Sequence, residues 1–179
     1  MRRSNLENLP DVVPPDGYAL RTYQPGDEAA WGRIMDTGIG QDWTVEKVRK
    51  ELIERPQFAA EGLFFATYQG EPVGSACAWR ASAEEKHTGI VHMVCVLPEH
   101  RGKRLGYVLT LQVLHWFREQ GFAEAVLSTD DWRLSAIKAY LDLGFEPIYT
   151  EGEDHPKRWR VVGEKLGVAL GHDVGTLAC

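Results

Sequence analysis

The amino-acid sequence predicts an α/β fold in which about four helices pack on one mixed sheet of about six to seven strands. The chain has 179 residues, of which 44% are hydrophobic and 26% are charged, a composition typical of a single folded domain. The predicted order is strand, two helices, three strands, helix, strand, helix and two strands. Because the strand–helix–strand unit over 88–128 should be parallel and right-handed, the sheet is expected to be mixed.

The N-terminal part of the chain is predicted to begin with an extended arm over 1–16, because this segment is polar and interrupted by prolines. Alternation of apolar and polar residues of β-favouring types predicts a first strand over 18–23. Two helices are predicted next, over 27–36 and 44–54, and Thr44 can cap the second. The domain therefore starts with a strand and two helices.

Three strands are predicted in the middle of the chain. The β-type runs over 63–68 and 72–79 are joined by a short connection containing Gly70, which is typical of a hairpin. The run over 88–96 is almost continuously apolar. Since continuous apolar runs are typical of strands buried on both faces, the third strand is expected at the centre of the sheet.

The C-terminal half alternates between helices and strands. Apolar residues at helical spacing predict a helix over 105–120, and a short strand over 125–128 follows. A second helix is predicted over 132–143 and ends at a glycine. Two further strands are predicted over 145–150 and 158–162.

Composition and charge exclude several classes of function. One domain is expected over 17–165, with a C-terminal tail over 166–179. The net charge of -6 argues against a nucleic-acid partner and is compatible with a cationic small molecule. No apolar run approaches the roughly 18 residues that a membrane helix requires, so we expect no membrane partner and a cytoplasmic location. The three cysteines lack the spacing of metal ligands, so we expect no metal site and reduced thiols.

The most informative segment is 94–106, where an apolar strand leads into a basic loop with two glycines and then into a long helix. The first N–H groups of a helix have no internal partners and lie at the positive end of its dipole, so such a loop can bind an anion. Gly102 and Gly106 allow the backbone to approach a ligand. The segment matches neither a P-loop nor a dinucleotide-binding loop. An ordinary turn with surface cations and a site for another phosphate ligand remain as alternatives.

The residues of this loop resemble the phosphate-binding motif of the Gcn5-related N-acetyltransferases, Gln/Arg-x-x-Gly-x-Gly/Ala. The match runs from Arg101 to Gly106, with Arg104 in place of the middle glycine. A second block, over 136–145, is similar to the closing helix of this family with its tyrosine and terminal Gly-Phe. Arg133 stands where the family commonly has an asparagine. The resemblance covers roughly 18–162 and is closest over 94–145.

The resemblance implies a GNAT fold, in which the two central parallel strands splay apart to hold acetyl-coenzyme A as a co-substrate. The backbone of one strand would pair with the pantetheine arm, and the start of the next helix would hold the diphosphate. The residues that this implies for the cofactor are Val94, Cys95, Val96, Arg101, Gly102, Lys103, Arg104, Leu105, Gly106, Arg133 and Tyr140.

The resemblance also implies acetyl transfer to a primary amine of a small molecule or peptide by direct attack in a ternary complex. Tyr140 matches the tyrosine that protonates the coenzyme A sulfur in many members. His92 could act as the base, or it could be an ordinary sheet histidine. The residues expected to contact the acceptor are Trp43, His155, Arg158 and Trp159.

Three alternatives for function and assembly stay open at this point. Arg104 and Arg133 replace expected residues, so a catalytically weak acyl-coenzyme A binding or regulatory module of the same fold is an alternative to the enzyme. Binding of another phosphorylated ligand is a third hypothesis. A homodimer is possible for a fold of this kind.

Overall fold

A computed structural model of the chain, which describes residues 1–149 and 154–170, contains one six-stranded sheet in the order β1-β6-β5-β4-β3-β2. The strands are β1 (Arg2–Arg3), β2 (Tyr18–Thr22), β3 (Leu63–Tyr68), β4 (Glu71–Trp79), β5 (Thr88–Val96) and β6 (Glu124–Val126). All neighbouring strands are antiparallel except β5 and β6, which are parallel. The predicted mixed α/β fold is therefore confirmed.

Helices cover both faces of this sheet. They are α1 (Glu28–Met35), α2 (Val45–Val48, continued by a π-helical turn over Arg49–Ile53), α3 (Leu105–Glu119), α4 (Leu134–Asp142) and α5 (His155–Leu166). Helices α3 and α4 bury their apolar residues in one cluster, and α1 and α2 bury theirs in a second cluster. In the described part of the chain, no helix is long and apolar enough to span a membrane.

The central helix α3 approaches the sheet closely at a glycine of β5. A Cβ atom on Gly89 would lie 2.6 Å from the ring of Phe117, a separation at which the ring would have to move. Phe117 is fully buried in the larger apolar cluster. The glycine therefore lets α3 pack tightly against β5, and α3 begins directly after the loop that follows this strand.

The parallel strands β5 and β6 separate along their length. Their pairing begins at Thr88 with Glu124 and ends at Ile90 with Val126. β5 continues to Val96 without a partner on that side in the named strands. The predicted splay is therefore present, and it opens a gap beside the second half of β5.

The strand predicted over 158–162 is wrong, because these residues lie in α5. Pro156 is in the first turn, where a missing N–H group has no cost, and Gly167 ends the helix with a φ of 68°. Trp159, Val162 and Leu166 pack on the larger apolar cluster. Their spacing is that of one helical face, and this burial outweighs the strand preference of the two adjacent valines.

The strand predicted over 145–150 is also absent from the described residues, which stop at Tyr149 before the gap. The edge of the sheet beside β6 is occupied by β1, so Glu146 forms only an isolated bridge with Arg2. The amino group of Met1 donates to the carbonyl oxygen of Leu127 at 2.8 Å. The N-terminal arm therefore supplies the strand beside β6. The sequence instead predicts no strand in this arm and a strand over 145–150, after the second helix of the C-terminal half.

Candidate active site

A cavity of about 550 Å³ lies where β5 and β6 separate. Its lining comes from the turn after α1, the second half of β5, the loop before α3, the first turn of α3, and one side of α4 along its length. All of the predicted cofactor-binding residues except Lys103 line it. The structure therefore brings the two motifs of the sequence together around one space.

The loop before α3 presents main-chain N–H groups to this cavity. Within the described residues, the N–H groups from Gly102 to Tyr107 donate to no backbone carbonyl in a turn or cap, as expected at a helix start. A Cβ atom on Gly106 would meet nothing within 4 Å, so the space beside this residue is open. The unpartnered donors and the helix dipole together favour an anion at this position.

Arg104 caps α3 in a left-handed conformation, with a φ of 61°. This is the position where the family motif has its middle glycine, and glycine adopts such a φ without steric cost. The guanidinium of Arg104 lies over the ring of Tyr107, 4.4 Å from its centroid, and both residues line the cavity. The arginine therefore keeps the backbone turn of the motif and adds a positive charge to the site.

The other two cations of the loop are engaged with the protein. Arg101 donates through Nε to the carbonyl oxygen of Val96 at 2.9 Å and through Nη2 to the carbonyl oxygen of Thr37 at 3.0 Å. Lys103 donates through Nζ to the carbonyl oxygen of Glu99 at 3.1 Å and does not line the cavity. Arg101 thus braces the loop, and the structure does not place the side chain of Lys103 in the site.

The second half of β5 forms one wall through Val94, Cys95 and Val96. A bulge precedes them, with a register shift between β4 and β5 and a φ of 51° at Met93. Such bulges bend a strand and redirect the residues that follow. The bulge and the end of the β6 ladder together leave this edge of β5 facing the cavity.

Tyr140 reaches the cavity from α4. Its side chain is 7% exposed, and burial raises its pKa to about 12. The charge of Arg133, which lines the same cavity, partly offsets this rise in the pKa. The hydroxyl is therefore protonated at neutral pH and can donate a proton or a hydrogen bond.

Arg133 lies at the start of α4 and crosses the cavity. It donates through Nε to Asp130 at 2.8 Å and through Nη2 to the carbonyl oxygen of Gly38 at 2.5 Å. Its guanidinium also lies 4.7 Å from the ring centroid of Trp132, a residue that is 71% exposed. The first residues of α4 are thus fixed to the end of α1.

Comparison with known proteins adds to this geometry. The model of the acetyltransferase (GNAT) family matches residues 34–145, more than half of the chain. The chain belongs to the GNAT acetyltransferase family. The matched range contains both motifs and every residue that lines the cavity.

Among curated relatives of this GNAT chain, a mycothiol acetyltransferase from Thermomonospora curvata is 36% identical over 152 residues, which are 81% of the chain and 50% of the relative. A mycothiol acetyltransferase from Nocardia farcinica is 34% identical over 84% of the chain and 53% of its own length. The GNAT chain therefore spans about half the length of these relatives.

Solved structures share the fold at lower identity. A GCN5-related N-acetyltransferase from Sphaerobacter thermophilus has a TM-score of 0.62 and 21% identity, covering 90% of this chain and 46% of its own. A Mycobacterium tuberculosis protein solved in complex with CoA has a TM-score of 0.59 and 16% identity. The match covers 84% of this chain and 89% of that protein. Both confirm the GNAT fold.

The predicted acceptor and base residues of this GNAT domain lie outside the cavity lining. Trp43 packs on the cluster of α1 and α2, with Lys47 Nζ 4.4 Å from its ring centroid. Arg158 pairs with Asp131 at 2.8 Å, and Trp159 packs on the larger cluster. His155 begins α5 beside them.

His92 lies on β5 with its ring 5.4 Å from that of Trp79. Burial lowers the pKa of His92 below its usual range, so the ring is neutral at pH 7. The roles assigned to His92 and to the four acceptor residues stay predictions.

Sequence patterns do not identify Thr37 and Gly38, which also line the cavity. They follow the end of α1, about sixty residues before the motif, and carry no recognisable pattern. Their position depends on how α1 packs against β5, which only the folded structure defines. No local signal could have identified them.

Proposed function

We propose that this GNAT chain transfers the acetyl group of acetyl-CoA to a primary amine of a small molecule, by direct attack in a ternary complex. The observation that carries the proposal is the continuity of one cavity from the unpartnered N–H groups of α3 to the buried phenol of Tyr140. An anion-binding helix start in one part of the cavity and a neutral acid in another match the diphosphate and the thioester of acetyl-CoA.

The residues present fit the diphosphate of coenzyme A. The open space beside Gly106 lets the phosphates approach the N–H groups of the helix start. Arg104 adds charge from the rim of this cradle, where it can form charge-assisted hydrogen bonds. Val94 and Val96 lie on the β5 edge that is not paired with β6, where backbone groups can bind the amides of the pantetheine arm.

Bound acetyl-CoA would supply an activated acyl carbon. The chain itself supplies orientation, exclusion of water and a proton. Tyr140 stays protonated because of its burial, so its hydroxyl can donate to the sulfur as the thiolate leaves. Positioning of both substrates in one cavity lowers the barrier further by removing the entropy cost of their encounter.

The attacking amine has to lose a proton, and His92 is the proposed acceptor of that proton. Its ring is neutral near pH 7 because burial lowers its pKa. Since His92 does not line the cavity, the proton would have to travel through a water molecule. The variant His92→Gln tests this role. If the histidine is the base, the fall in kcat/KM at acidic pH should be absent from the pH profile of the variant.

For the acceptor, we propose a small-molecule amine related to mycothiol. The names of the curated relatives support this class, and the net charge of -6 favours a cationic acceptor. The relatives are about twice as long, so part of their acceptor site can lie outside the length that matches this chain. A peptide acceptor and a homodimer stay predictions.

A second candidate function is binding of acyl-CoA without efficient turnover. The hydrogen bonds of Arg133 to Asp130 and Gly38 favour it, because the guanidinium is occupied where the family commonly has an asparagine that contacts the pantetheine arm. Turnover separates the two functions, since both predict cofactor binding.

The decisive experiment combines calorimetry and kinetics. Titration with acetyl-CoA should show binding, and release of free CoA should depend on an amine from a panel that includes the unacetylated precursor of mycothiol. Tyr140→Phe should lower kcat at least about tenfold. Tyr68→Phe removes a hydroxyl outside the cavity and serves as the matched control.

Failure of folded protein to bind acetyl-CoA would overturn both candidate functions. Binding without CoA release from any amine would favour the second. Equal kcat values for the wild type and Tyr140→Phe would refute the acid role.

A further inference from the structure

Cys95, Thr37 and Gly38 form one wall of the cavity that Tyr140 also lines. Cys95 and Tyr140 are each 7% exposed, so each presents only a small surface to the cavity that they share. If the phenol of Tyr140 lies at the thioester sulfur, the acyl group extends toward this wall. The size of the space there decides which acyl groups fit.

Hydrogen bonds hold the Cys95 side chain in place. Its Sγ donates to the carbonyl oxygen of Ile34 at 3.2 Å and lies 3.4 Å from Oγ1 of Thr37. The Thr37 hydroxyl donates to the same carbonyl oxygen at 2.8 Å. The thiol is therefore anchored to the last turn of α1.

Two arginines on opposite sides of the cavity hold the neighbouring backbone. Arg101, from the loop before α3, donates to the carbonyl oxygen of Thr37 at 3.0 Å. Arg133, at the start of α4, donates to the carbonyl oxygen of Gly38 at 2.5 Å. Because both carbonyls lie at the negative end of α1, each bond is supported by the helix dipole. The wall cannot recede without loss of these bonds.

A side chain at position 38 would point at the thiol of Cys95. A Cβ atom on Gly38 would lie 3.3 Å from Sγ of Cys95 and 4.0 Å from Nη2 of Arg101. The first separation is tighter than ordinary van der Waals contact, so an alanine at this position would press on the thiol. Displacement of the thiol by a longer acyl chain is instead opposed by its hydrogen bond to Ile34 and its contact with Thr37.

We propose that Cys95, fixed by Thr37 and Gly38, is the specificity-determining residue that limits the transferred group to acetyl. The proposal deepens the proposed function and rests on it. One additional methylene is worth about 10-fold to 200-fold in discrimination when a rigid apolar pocket has no room for it. Wild-type protein should therefore prefer acetyl-CoA to propionyl-CoA by at least about tenfold.

The test compares Cys95→Ala with Cys77→Ala. The first removes one heavy atom from the wall, and the second makes the same change at a fully buried cysteine that does not line the cavity. Cys95→Ala should raise the preference for propionyl-CoA relative to acetyl-CoA about tenfold, whereas Cys77→Ala should leave it unchanged. The ratio is measured twice, as kcat/KM and as calorimetric affinity in the absence of an acceptor.

Two further variants keep the test decisive if Cys95→Ala folds poorly. Cys95→Ser retains the hydrogen bond to Ile34 with a smaller atom, so it should give a smaller shift in the same direction. Gly38→Ala should push the thiol into the cavity and weaken binding of propionyl-CoA more than that of acetyl-CoA.

An acyl ratio equal to the wild-type value in Cys95→Ala and Cys95→Ser would overturn this inference. Equal shifts in Cys95→Ala and Cys77→Ala would do the same, because they would indicate general loosening of the core. Wild-type protein that binds no acetyl-CoA would instead refute the proposed function itself.

Discussion

Arg133 and Gly38 are joined by a hydrogen bond of 2.5 Å between Nη2 and the carbonyl oxygen, although they are ninety-five residues apart in the chain. The bond connects the start of α4 to the end of α1 across the cavity. The guanidinium is held in place by Asp130 on one side and by the ring of Trp132 on the other. The two halves of the site are thus linked by one side chain that replaces a common asparagine of the family.

Loss of this link should lower catalysis more than stability. Arg133→Ala is expected to lower kcat/KM at least about tenfold, because the start of α4, the helix that carries Tyr140, would lose its fixed position relative to the end of α1. Hydrogen exchange of the amides after α1 should become faster. Arg118→Ala removes an arginine at the far end of α3 and should leave kcat/KM unchanged. A variant at position 133 with wild-type kcat/KM would refute a positioning role for this arginine.

The left-handed φ of Arg104 predicts an unusual order of stability. Arg104→Gly and Arg104→Ala both lose the contact with Tyr107, but only alanine keeps the unfavourable φ of 61°. Because a left-handed conformation costs a non-glycine residue about 1 to 2 kcal/mol, the glycine variant should be about 1 kcal/mol more stable than the alanine variant in urea unfolding.

The neighbouring Lys103 provides the control for this order, because it does not have a positive φ. At this position Lys103→Gly should be less stable than Lys103→Ala, since glycine loses more backbone entropy on folding. The same order of stability at both positions would contradict the strain attributed to Arg104.

Gly106→Ala should separate binding from folding. The new Cβ atom meets nothing within 4 Å in the protein, and alanine is favoured over glycine inside a helix by about 0.5 to 1 kcal/mol. The melting temperature should therefore stay constant or rise. Affinity for acetyl-CoA should fall at least about tenfold, because the methyl group occupies the space proposed for the diphosphate.

Gln112 lies on the same helix outside the cavity lining and provides the control. Gln112→Ala should change neither the affinity for acetyl-CoA nor the melting temperature appreciably. Wild-type affinity in Gly106→Ala would show that the phosphates lie elsewhere.

Local patterns predict the parts of this protein that depend on neighbouring residues. The apolar spacing of α3 and the glycines of the loop before it indicate the phosphate cradle without any knowledge of distant contacts. The adjacent valines at 161 and 162 wrongly indicate a strand, because the helical face that Val162 shares with Trp159 becomes decisive only through packing, while Val161 is exposed. β1 has only two residues, which is too short for a periodic pattern, and it depends on pairing with β6, more than a hundred residues away.

The same distinction applies to the site. Tyr140 and the loop residues belong to motifs, and the structure brings them to one cavity. Trp43 and Arg158 belong to no motif, and the first is packed beside α1 whereas the second lies in a helix. Thr37 and Gly38 owe their position to contacts with Cys95, Arg101 and Arg133, which are all distant in sequence.

Tyr140 predicts how activity and stability depend on alkaline pH. Burial raises its pKa to about 12, whereas a phenol in an unfolded chain ionises near 10. The hydroxyl should therefore stay protonated between pH 7 and 10, so kcat should show no alkaline limb from this residue over that range. A falling limb that disappears in Tyr140→Phe would contradict the raised pKa.

Linkage gives the sign of the effect on stability. Between pH 10 and 12 the unfolded chain loses the phenolic proton while the folded protein keeps it, so ionisation stabilises the unfolded state. The free energy of unfolding of the wild type should fall relative to that of Tyr140→Phe as the pH rises through this interval, by up to about 2 to 3 kcal/mol. Below pH 10 the difference between the two proteins should not depend on pH. Urea unfolding of the wild type and of Tyr140→Phe at pH 8 and at pH 11 measures the difference in their free energies of unfolding. The same difference at both pH values would place the phenol in contact with solvent.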